Sequence, residues 1–433
     1  MTKGKVSPVP GFTYVREIGG IKEYRLTSNK MRVLLAHDSV VPVAGFMVTY
    51  HVGSKNEATG YTGATHLLEH LLFKGSERFN KKLGTAMDTL MEAKGAVVNA
   101  TTWFDRTNYY EVMPADALPL AIAIEADRMR TALFTEKDRA SEMPIVRNEF
   151  ERGENLPMEA LDKEIWAAAF TAHPYHHSTI GWKSDIEGVS IDRLRQFYDE
   201  YYWPDNATAT VAGFFDEKEV LELIKKEFSR HPAKKGPYPS LYTTEPEQQG
   251  ERRVRVERAG TNMIGLAHKI PEATHADVPA LMLLADIMSE GKTSRLYRSF
   301  IDTALATEVY AQCWQFQDPS LFETFITLAP KTSHEKAETL LRKEYSRLIE
   351  EGVTASELQH AKQTARAVLA SRRDGPYALL SSLNEEIATG DWTRFVTLSD
   401  SLNAVSRTDI KRVAKCYFNP KMSTVGWFVN TSS

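Results

Sequence analysis

Two histidines and one glutamate stand at spacings that would bring them together on a helix. They occur in the sequence HLLEH at positions 66–70. Residues three and four apart are neighbours on a helix surface, so His66 and His70 can bind one metal ion while Glu69 lies beside it. The order H-x-x-E-H reverses the commoner H-E-x-x-H zinc motif, and in both the glutamate acts as general base. A five-residue match can arise by accident in a chain with 12 histidines, so the surroundings must decide.

The residues around the motif predict a strand, a loop and a helix in that order. Residues 40–53 alternate apolar and polar side chains, which is typical of a half-buried strand. A loop rich in glycine and threonine follows, and Thr62 is the predicted N-cap of a helix over about 63–72. Leucines at positions 67, 68, 71 and 72 give this helix an apolar face toward the core. The pattern therefore places the histidines at the edge of a buried layer.

A catalytic zinc site normally takes three protein ligands, so a third ligand is needed downstream. The best candidate segment is 136–153, where apolar residues recur at roughly helical spacing. Glu142 and Glu149 are close to two helical turns apart and share one face, whereas Glu151 points to roughly the opposite side. We predict Glu149 as the third ligand and Glu142 as the carboxylate that orients a ligating histidine. The alternative, a solvated charged helix, suits Glu151 and Glu154.

Longer stretches of the chain resemble the M16 family of zinc peptidases, the pitrilysin and mitochondrial-processing-peptidase group, in its two-domain M16B form. The matching stretches cover nearly the whole length and are GSKNEATGYTGATHLLEHLLFKGS at 53–76, GAVVNATTWFDRTNYY at 95–110, IVRNE at 145–149, HPYHHSTIGWKSDI at 173–186 and SRLYRSFIDTALAT at 294–307.

The resemblance implies one Zn²⁺ per chain, bound by His66, His70 and Glu149, with Glu69 activating a water molecule. Two features depart from the family pattern. The separation of His70 and Glu149 (149 − 70 = 79) is slightly longer than is usual in the family. Pro144 also falls where the family helix runs uninterrupted, and proline bends or starts helices. The pattern therefore fixes the place of Glu142 on its helix less firmly than that of Glu149.

Length and composition indicate a large globular enzyme. A chain of 433 residues suits two or more domains, and its 42% hydrophobic and 25% charged residues are globular values. The net charge of −4 argues against a general nucleic-acid binder. No apolar run approaches the ~20 residues that span a bilayer, so no membrane insertion is expected. The N-terminal sequence MTKGKVSPVPGF lacks the apolar segment of a signal peptide, which predicts a cytoplasmic protein as the sequence stands, or a periplasmic one if a signal peptide was removed.

Two segments in the first half of the chain match two segments in the second half at one constant offset. The matched segments are HLLEHLLFKG (66–75) over MLLADIMSEG (282–291), and 189–208 over 405–424, so that 282 − 66 and 405 − 189 both equal 216. One offset that serves two distant segments indicates a duplication. In the second copy Met282, Ala285 and Asp286 replace the three motif residues, so only the first half can hold zinc. The predicted organisation is a catalytic half at 1–235, a linker at 236–250 and a homologous half without zinc ligands at 251–433.

Strand-like and helical runs are mixed within each half without the regular alternation of a doubly wound sheet, which indicates an α+β fold. The strand-like runs are 31–36, 44–52, 109–113 and 207–213, and the helical runs are 115–130, 191–201 and 217–228. The resemblance implies the same class: two homologous halves, each an antiparallel sheet flanked by helices, facing each other across a cavity.

These features predict a zinc-dependent endopeptidase that acts on peptides or unfolded segments. Zinc polarises the scissile carbonyl and lowers the pKa of its bound water, and Glu69 passes the water proton to the leaving amine. The resemblance also implies that substrate backbone adds as a strand near Asn99 and Ala100, although periodicity alone favours an ordinary sheet strand there. The alternative is a non-catalytic scaffold or processing-complex subunit of the same family. Loss of the zinc ligands marks such relatives, and here the ligands are present.

One part of the family pattern is missing from the second half. The resemblance implies an arginine and a tyrosine, in a pattern like L-R-x-x-x-x-G-L-A-Y, that hold the substrate carbonyl near the zinc. Ile301 and Thr307 stand at those positions, and neither side chain can replace the donors. Arg295, Arg298 and Tyr310 lie nearby, but their shift along the chain predicts structural or surface positions. We therefore predict the zinc-bearing subunit of a heterodimer, whose related M16 partner supplies the arginine and the tyrosine.

Overall fold

The computed structural model describes residues 7–431. Residues 1–6, which form part of the segment used to predict the location of the protein, and residues 432–433 lie outside the described part. Within 7–431 no helix combines the length and the apolar character needed to cross a bilayer.

Seven strands form the first sheet. They are β1 (Phe12–Ile18), β2 (Ile21–Leu26), β3 (Arg32–His37), β4 (Val43–Tyr50), β5 (Val97–Thr102), β6 (Thr107–Pro114) and β7 (Ala207–Gly213). Their order across the sheet is β1-β2-β3-β7-β4-β6-β5, so β5 lies at an edge. Neighbouring strands are antiparallel apart from the pair β3 and β7.

Five strands form the second sheet. They are β8 (Arg252–Arg258), β9 (Met263–Ile270), β10 (Ala306–Cys313), β11 (Ser320–Leu328) and β12 (Ser423–Asn430). Their order, β8-β12-β9-β11-β10, repeats the order β3-β7-β4-β6-β5 of the first sheet, and β8 and β12 form its parallel pair. The predicted α+β class is confirmed. Each sheet has one parallel pair of strands. A long connection that contains helices joins the two strands of each pair, and parallel pairing requires a connection of this kind.

Helices pack against both sheets. They are α1 (Ala64–Leu72), α2 (Met87–Glu92), α3 (Leu118–Thr131), α4 (Glu136–Asn155), α5 (Pro157–Ala169), α6 (Lys183–Gly188), α7 (Ile191–Tyr201), α8 (Glu217–Phe228), α9 (Val278–Ser289), α10 (His334–Glu351), α11 (Ala355–Ser371), α12 (Gly375–Ala388), α13 (Arg394–Ala404) and α14 (Arg407–Tyr417). A π-helical segment at Tyr297–Ile301 precedes β10.

The repeat offset of the sequence recurs in the fold. The first residues of α7 and α14 differ in number by this offset, and so do their last residues. The first residues of β7 and β12 differ by the same offset. Both helices begin on a serine: Ser190 accepts a hydrogen bond from the Arg193 amide and Ser406 accepts one from the Asp409 amide, each at 3.2 Å. The same cap at the same offset supports the duplication that the sequence predicts.

The described fold divides into two compact units that differ from the sequential halves. The first unit runs up to Arg147 and adds Thr179–Tyr242 and Ser371–Val396; the second contains Asn148–Ser178 and Thr243–Ala370 and runs on from Thr397. Helix α12 packs on β4 of the first sheet, and α5 packs on β8, β9 and β12 of the second. Each unit therefore contains one helix from the other sequence half, and the boundaries 1–235, 236–250 and 251–433 remain a prediction about the repeat.

Glycines in the sheets allow these two helices to approach closely. A Cβ atom on Gly265 of β9 would lie 2.5 Å from Ile165 Cδ1 of α5 and 2.8 Å from Phe325 Cε1. In the first unit, a Cβ atom on Gly45 of β4 would lie 2.5 Å from Leu380 Cδ1 of α12. These separations are shorter than carbon atoms tolerate, so close helix packing depends on the absence of a side chain.

We expect Gly265→Ala to lower the free energy of unfolding by ~1–3 kcal/mol, because the added methyl group overpacks a filled interior. Urea unfolding would measure the change. Gly250→Ala is the matched control, since nothing lies within 4 Å of a Cβ atom at that position. A Gly265→Ala protein as stable as the control would contradict the packing argument.

Candidate metal centre

Helix α1 carries both motif histidines and begins on a sharp turn. Gly63 precedes it with φ 83, a left-handed conformation that favours glycine. The Glu57 carboxylate accepts hydrogen bonds from the Gly63 and Thr65 amides, both at 2.7 Å, and so satisfies donors that a helix start leaves unpaired. Burial raises the pKa of Glu57 to about 8 although these hydrogen bonds lower it.

The prediction that Thr62 caps α1 is wrong. Its hydroxyl donates to Asp185 at 2.8 Å and accepts from the Trp182 amide at 2.9 Å, so it is engaged outside the helix. Asp185 also accepts the Gly60 and Thr62 amides at 3.0 and 3.1 Å. Threonine serves here to tie the loop before α1 to the segment 182–185, a contact between residues far apart in the sequence.

The predicted apolar face of α1 is confirmed. The four leucines at positions 67, 68, 71 and 72 are buried. His66 and His70 are partly buried, and their ring centroids lie 4.8 Å apart. The histidines therefore sit at the border of the core, where one side of each ring is held by protein.

Glu149 of α4 joins the two histidines. One ligand atom from each of His66, His70 and Glu149 lies within 4.8 Å of the others. Two imidazole nitrogens and one carboxylate oxygen match the ligands that catalytic zinc takes, with a fourth position for water or substrate. Burial and then the neighbouring His70 lower the pKa of His66 to about 3, so its imidazole is neutral and can ligate a metal. The donor set fits Zn²⁺.

Glu142 contacts the ring of His70 on the side expected of an orienting carboxylate. His70 Nδ1 and Glu142 Oε2 are 3.0 Å apart, which leaves the other ring nitrogen, Nε2, for a metal. Lys74 forms an ion pair with the same carboxylate. Burial raises the pKa of Glu142, but the hydrogen bonds from Lys74 and His70 lower it by more, and the net pKa is below its ordinary value. Glu142 is therefore ionised and able to accept the His70 proton.

Pro144 lies inside α4 and does not end it, so it does not mark the helix start that its position suggested. Its ring removes the hydrogen bond to the carbonyl of Ala140. Both residues are exposed, so water can satisfy that carbonyl. Because α4 continues through this point, one helix presents both Glu142 and Glu149.

Glu69 is buried on α1, and its carboxylate is bound by a residue that the sequence did not reveal. The Thr102 hydroxyl at the end of β5 donates to Glu69 Oε2. Tyr109 and Tyr202 are also close: burial raises their pKa values, and the charge of Glu69 raises them further. Both phenols therefore remain neutral. No sequence pattern pointed to Thr102, because it is distant from Glu69 along the chain and meets it only through the sheet.

Lys74 is the second residue that sequence reasoning missed. It lies four positions after His70, so a predicted helix that reached residue 74 would have placed its side chain near the site. Helix α1 ends at Leu72, and Lys74 reaches Glu142 from just beyond its end.

Asn99 and Ala100 lie on the edge strand β5, next to α1. Asn99 is exposed and Ala100 is buried. The Ala100 amide donates to Asn99 Oδ1 at 2.8 Å. An added strand at this edge would have to replace that hydrogen bond.

Two family models match successive parts of the chain. The family described as Insulinase (Peptidase family M16) matches residues 32–183, and the one described as Peptidase M16 inactive domain matches 188–365. The zinc protease PqqE of Helicobacter pylori is 31% identical over 386 residues, covering 87% of this chain and 85% of that protein. A mitochondrial-processing peptidase subunit beta of Lentinula edodes is 24% identical over 434 residues, covering 97% of this chain and 92% of that protein.

Solved structures share the fold along almost the whole chain. The crystal structure of a protease from Helicobacter pylori superposes with a TM-score of 0.88 at 26% identity, covering 97% of this chain and 100% of that one. A peptidase M16 inactive domain from Pseudomonas fluorescens superposes with a TM-score of 0.85 at 16% identity, covering 95% and 98%. The second likeness concerns the fold alone.

We expect Glu149→Gln to weaken zinc binding, by more than the ~10–100-fold that loss of an outer-shell partner costs. Glu151→Gln is the matched control, because Glu151 lies on the same helix and is not part of the three-residue group. Competition with a chromophoric chelator would measure both affinities. Equal losses in the two variants would show that the ligand has been assigned to the wrong turn of α4.

Proposed function

Because the chain belongs to peptidase family M16, we propose that it is a zinc-dependent endopeptidase with Glu69 as its general base. The observation that carries the proposal is the approach of His66, His70 and Glu149 to within 4.8 Å on two helices. Relatives named as zinc proteases match along most of the chain, which supports one Zn²⁺ as the cofactor.

The surrounding residues give each group a distinct task. Bound zinc would polarise the scissile carbonyl and lower the pKa of a coordinated water. Glu142 holds the proton of His70 Nδ1 and thereby orients that ring. Thr102 fixes one oxygen of the Glu69 carboxylate. A carboxylate in a fixed orientation takes the water proton and delivers it to the leaving amine.

The proposed substrate is an extended peptide or an unfolded protein segment. Strand β5 is an edge strand that packs beside α1, so a peptide paired with it would run past the helix that carries the histidines. Main-chain hydrogen bonds at an edge bind many sequences, and Asn99 and Ala100 would supply them here. The Ala100 amide donates to the Asn99 side chain, and a peptide carbonyl could take the place of that acceptor.

We further infer that the chain works with a second, related subunit. Ile301 packs against the core of the second unit, and Thr307 is an exposed residue at the start of β10. Arg295 is buried and bound to Glu357 at 2.7 Å, so it does not offer a free guanidinium in place of the missing arginine. A partner that retains the arginine and tyrosine would complete the site, which makes a heterodimer the simplest assembly. One matched relative is itself named as a beta subunit of a processing peptidase.

The alternative of a non-catalytic scaffold predicts a metal-free protein. Stoichiometric zinc in the purified chain, lost in His70→Ala, would support the enzyme instead. The cellular location, cytoplasmic or periplasmic after removal of a signal peptide, stays a prediction from the sequence.

We expect Glu69→Gln to keep its zinc and to lose hydrolysis of an unfolded peptide by ~10²–10⁴-fold, because the amide cannot take the water proton. Zinc content and peptide cleavage would be measured on the same preparation. Glu77→Gln, an exposed glutamate just after α1, is the control and should remain active. Near-normal turnover by Glu69→Gln would rule this residue out as the base.

The purified chain by itself should cleave peptides very slowly, because preorganised donors at a developing oxyanion are commonly worth ~2.7–4 kcal/mol each. Adding a related chain that lacks H-x-x-E-H and retains the arginine and tyrosine should restore activity. The same mixture with Glu69→Gln should stay inactive, which would assign catalysis to this subunit. Full activity of the chain alone would refute the heterodimer.

A further inference from the structure

A cavity of about 540 Å³ lies in the second unit, lined by residues from α9, α11 and the segment that leads into the π-helical turn. The repeat makes this place the counterpart of the metal centre. With the repeat offset, α9 corresponds to α1, α11 corresponds to α4, and Asp286 takes the position of His70 (70 + 216 = 286). Among the described residues, no metal-binding group other than His66, His70 and Glu149 is present. The second copy therefore has a cavity beside the counterpart of α1 and different side chains at the positions of the two histidines.

Four arginines line this cavity, and two of them are held elsewhere: Arg347 by Glu344 at 3.0 Å and Arg407 by the Val353 carbonyl at 2.9 Å. Arg295 is 9% exposed and holds Glu357 through Nε and Nη2 at 2.7 and 3.1 Å, and Nη2 also donates to the Gly352 carbonyl at 2.7 Å. Its remaining nitrogen, Nη1, has no hydrogen-bond partner in the described part of the chain. Arg298 is exposed on the cavity, and its guanidinium forms no ion pair with any residue of 7–431. The cavity thus offers cationic donors that the protein leaves unused.

Four carboxylates line the same cavity; Glu357 is bound to Arg295 and Glu351 pairs with Arg347 at 3.7 Å, which leaves Asp286 and Glu290. Asp286 is partly buried, and Glu290 follows it one turn later on α9. Within residues 7–431 neither side chain has an ion-pair or hydrogen-bond partner. Burial and then the charge of Glu290 raise the pKa of Asp286 to about 7. A carboxylate of this kind gains from a bound ammonium group.

Opposite charges that share a cavity without pairing favour a ligand that carries both signs. A simple anion would bind Arg298 but meet repulsion from Asp286 and Glu290, and a simple cation would meet the reverse. A molecule with an ammonium group at one end and a carboxylate at the other would form charge-assisted hydrogen bonds to both sides. The volume is ample for such a molecule.

We propose that this cavity binds a small zwitterion with free α-amino and α-carboxylate groups, an amino acid or a dipeptide. Its ammonium group would bind Asp286 and Glu290, and its carboxylate would bind Arg298, with Arg295 as the cationic wall behind it. Every group in this site lies in the second unit, so binding there requires no peptidase activity.

Isothermal titration of the full chain with alanyl-alanine tests the proposal. The titration uses a His66→Ala/His70→Ala background, so that a metal centre cannot hold the dipeptide. We expect one saturable site, and at least ~10-fold weaker binding of N-acetyl-alanyl-alanine and of alanyl-alanine amide, because each has lost one charge-assisted contact.

Matched variants locate the site. Asp286→Asn and Arg298→Gln should each weaken binding of alanyl-alanine about tenfold or more, on the same reasoning. Lys292→Gln, an exposed cation between these elements that does not line the cavity, should leave it unchanged. Absence of saturable binding at millimolar dipeptide, or binding that ignores Asp286→Asn, would overturn the proposal. Binding seen only when the two histidines are intact would place the dipeptide at the metal centre and would overturn it equally.

Discussion

The position of helix α1 is the constraint on which the candidate metal centre depends, and the buried carboxyl group of Glu57 holds its first turn. Glu57 accepts the amides of Gly63 and Thr65, while Asp185 accepts two amides and a hydroxyl from the loop just before them. Behind the helix, the leucine face is buried in the core. A helix held at its start and along one side has little freedom to rotate, so its two histidines point in fixed directions.

The second helix of the centre is tied to the first by charge. Glu142 lies between His70 and Lys74, and these two partners keep its carboxylate ionised in spite of burial. Because α4 runs unbroken past Pro144, the contact at Glu142 also sets the place of Glu149 two turns later. One local interaction therefore positions both an orienting group and a candidate ligand. This interaction gives an exposed glutamate a defined place beside two histidines.

Two sheets with the same strand order carry different polar side chains at matching positions. Both sheets share a strand order and a single parallel pair, and each unit includes a helix from the other sequence half. The first copy keeps two histidines on α1, whereas the second has Met282 and Asp286 at the matching positions of α9. Both helices bury apolar side chains, and the two copies differ in the polar side chains. In the second copy Asp286 forms no ion pair within residues 7–431, whereas Arg295 on the same cavity is bound to Glu357.

Periodicity and spacing determined the features that depend on neighbours along the chain. The pairing of His66 with His70, the shared face of Glu142 and Glu149, the helix at 191–201 and the strand at 207–213 all follow from such local patterns, and the structure contains them. The tertiary structure alone decided which carboxylate caps α1, which hydroxyl holds Glu69 and which helix covers each sheet. Glu57, Thr102 and the exchanged helices α5 and α12 act across turns, strands or long stretches of the chain. A sequence pattern records the order of side chains along an element, but contacts of that kind form only when the elements pack.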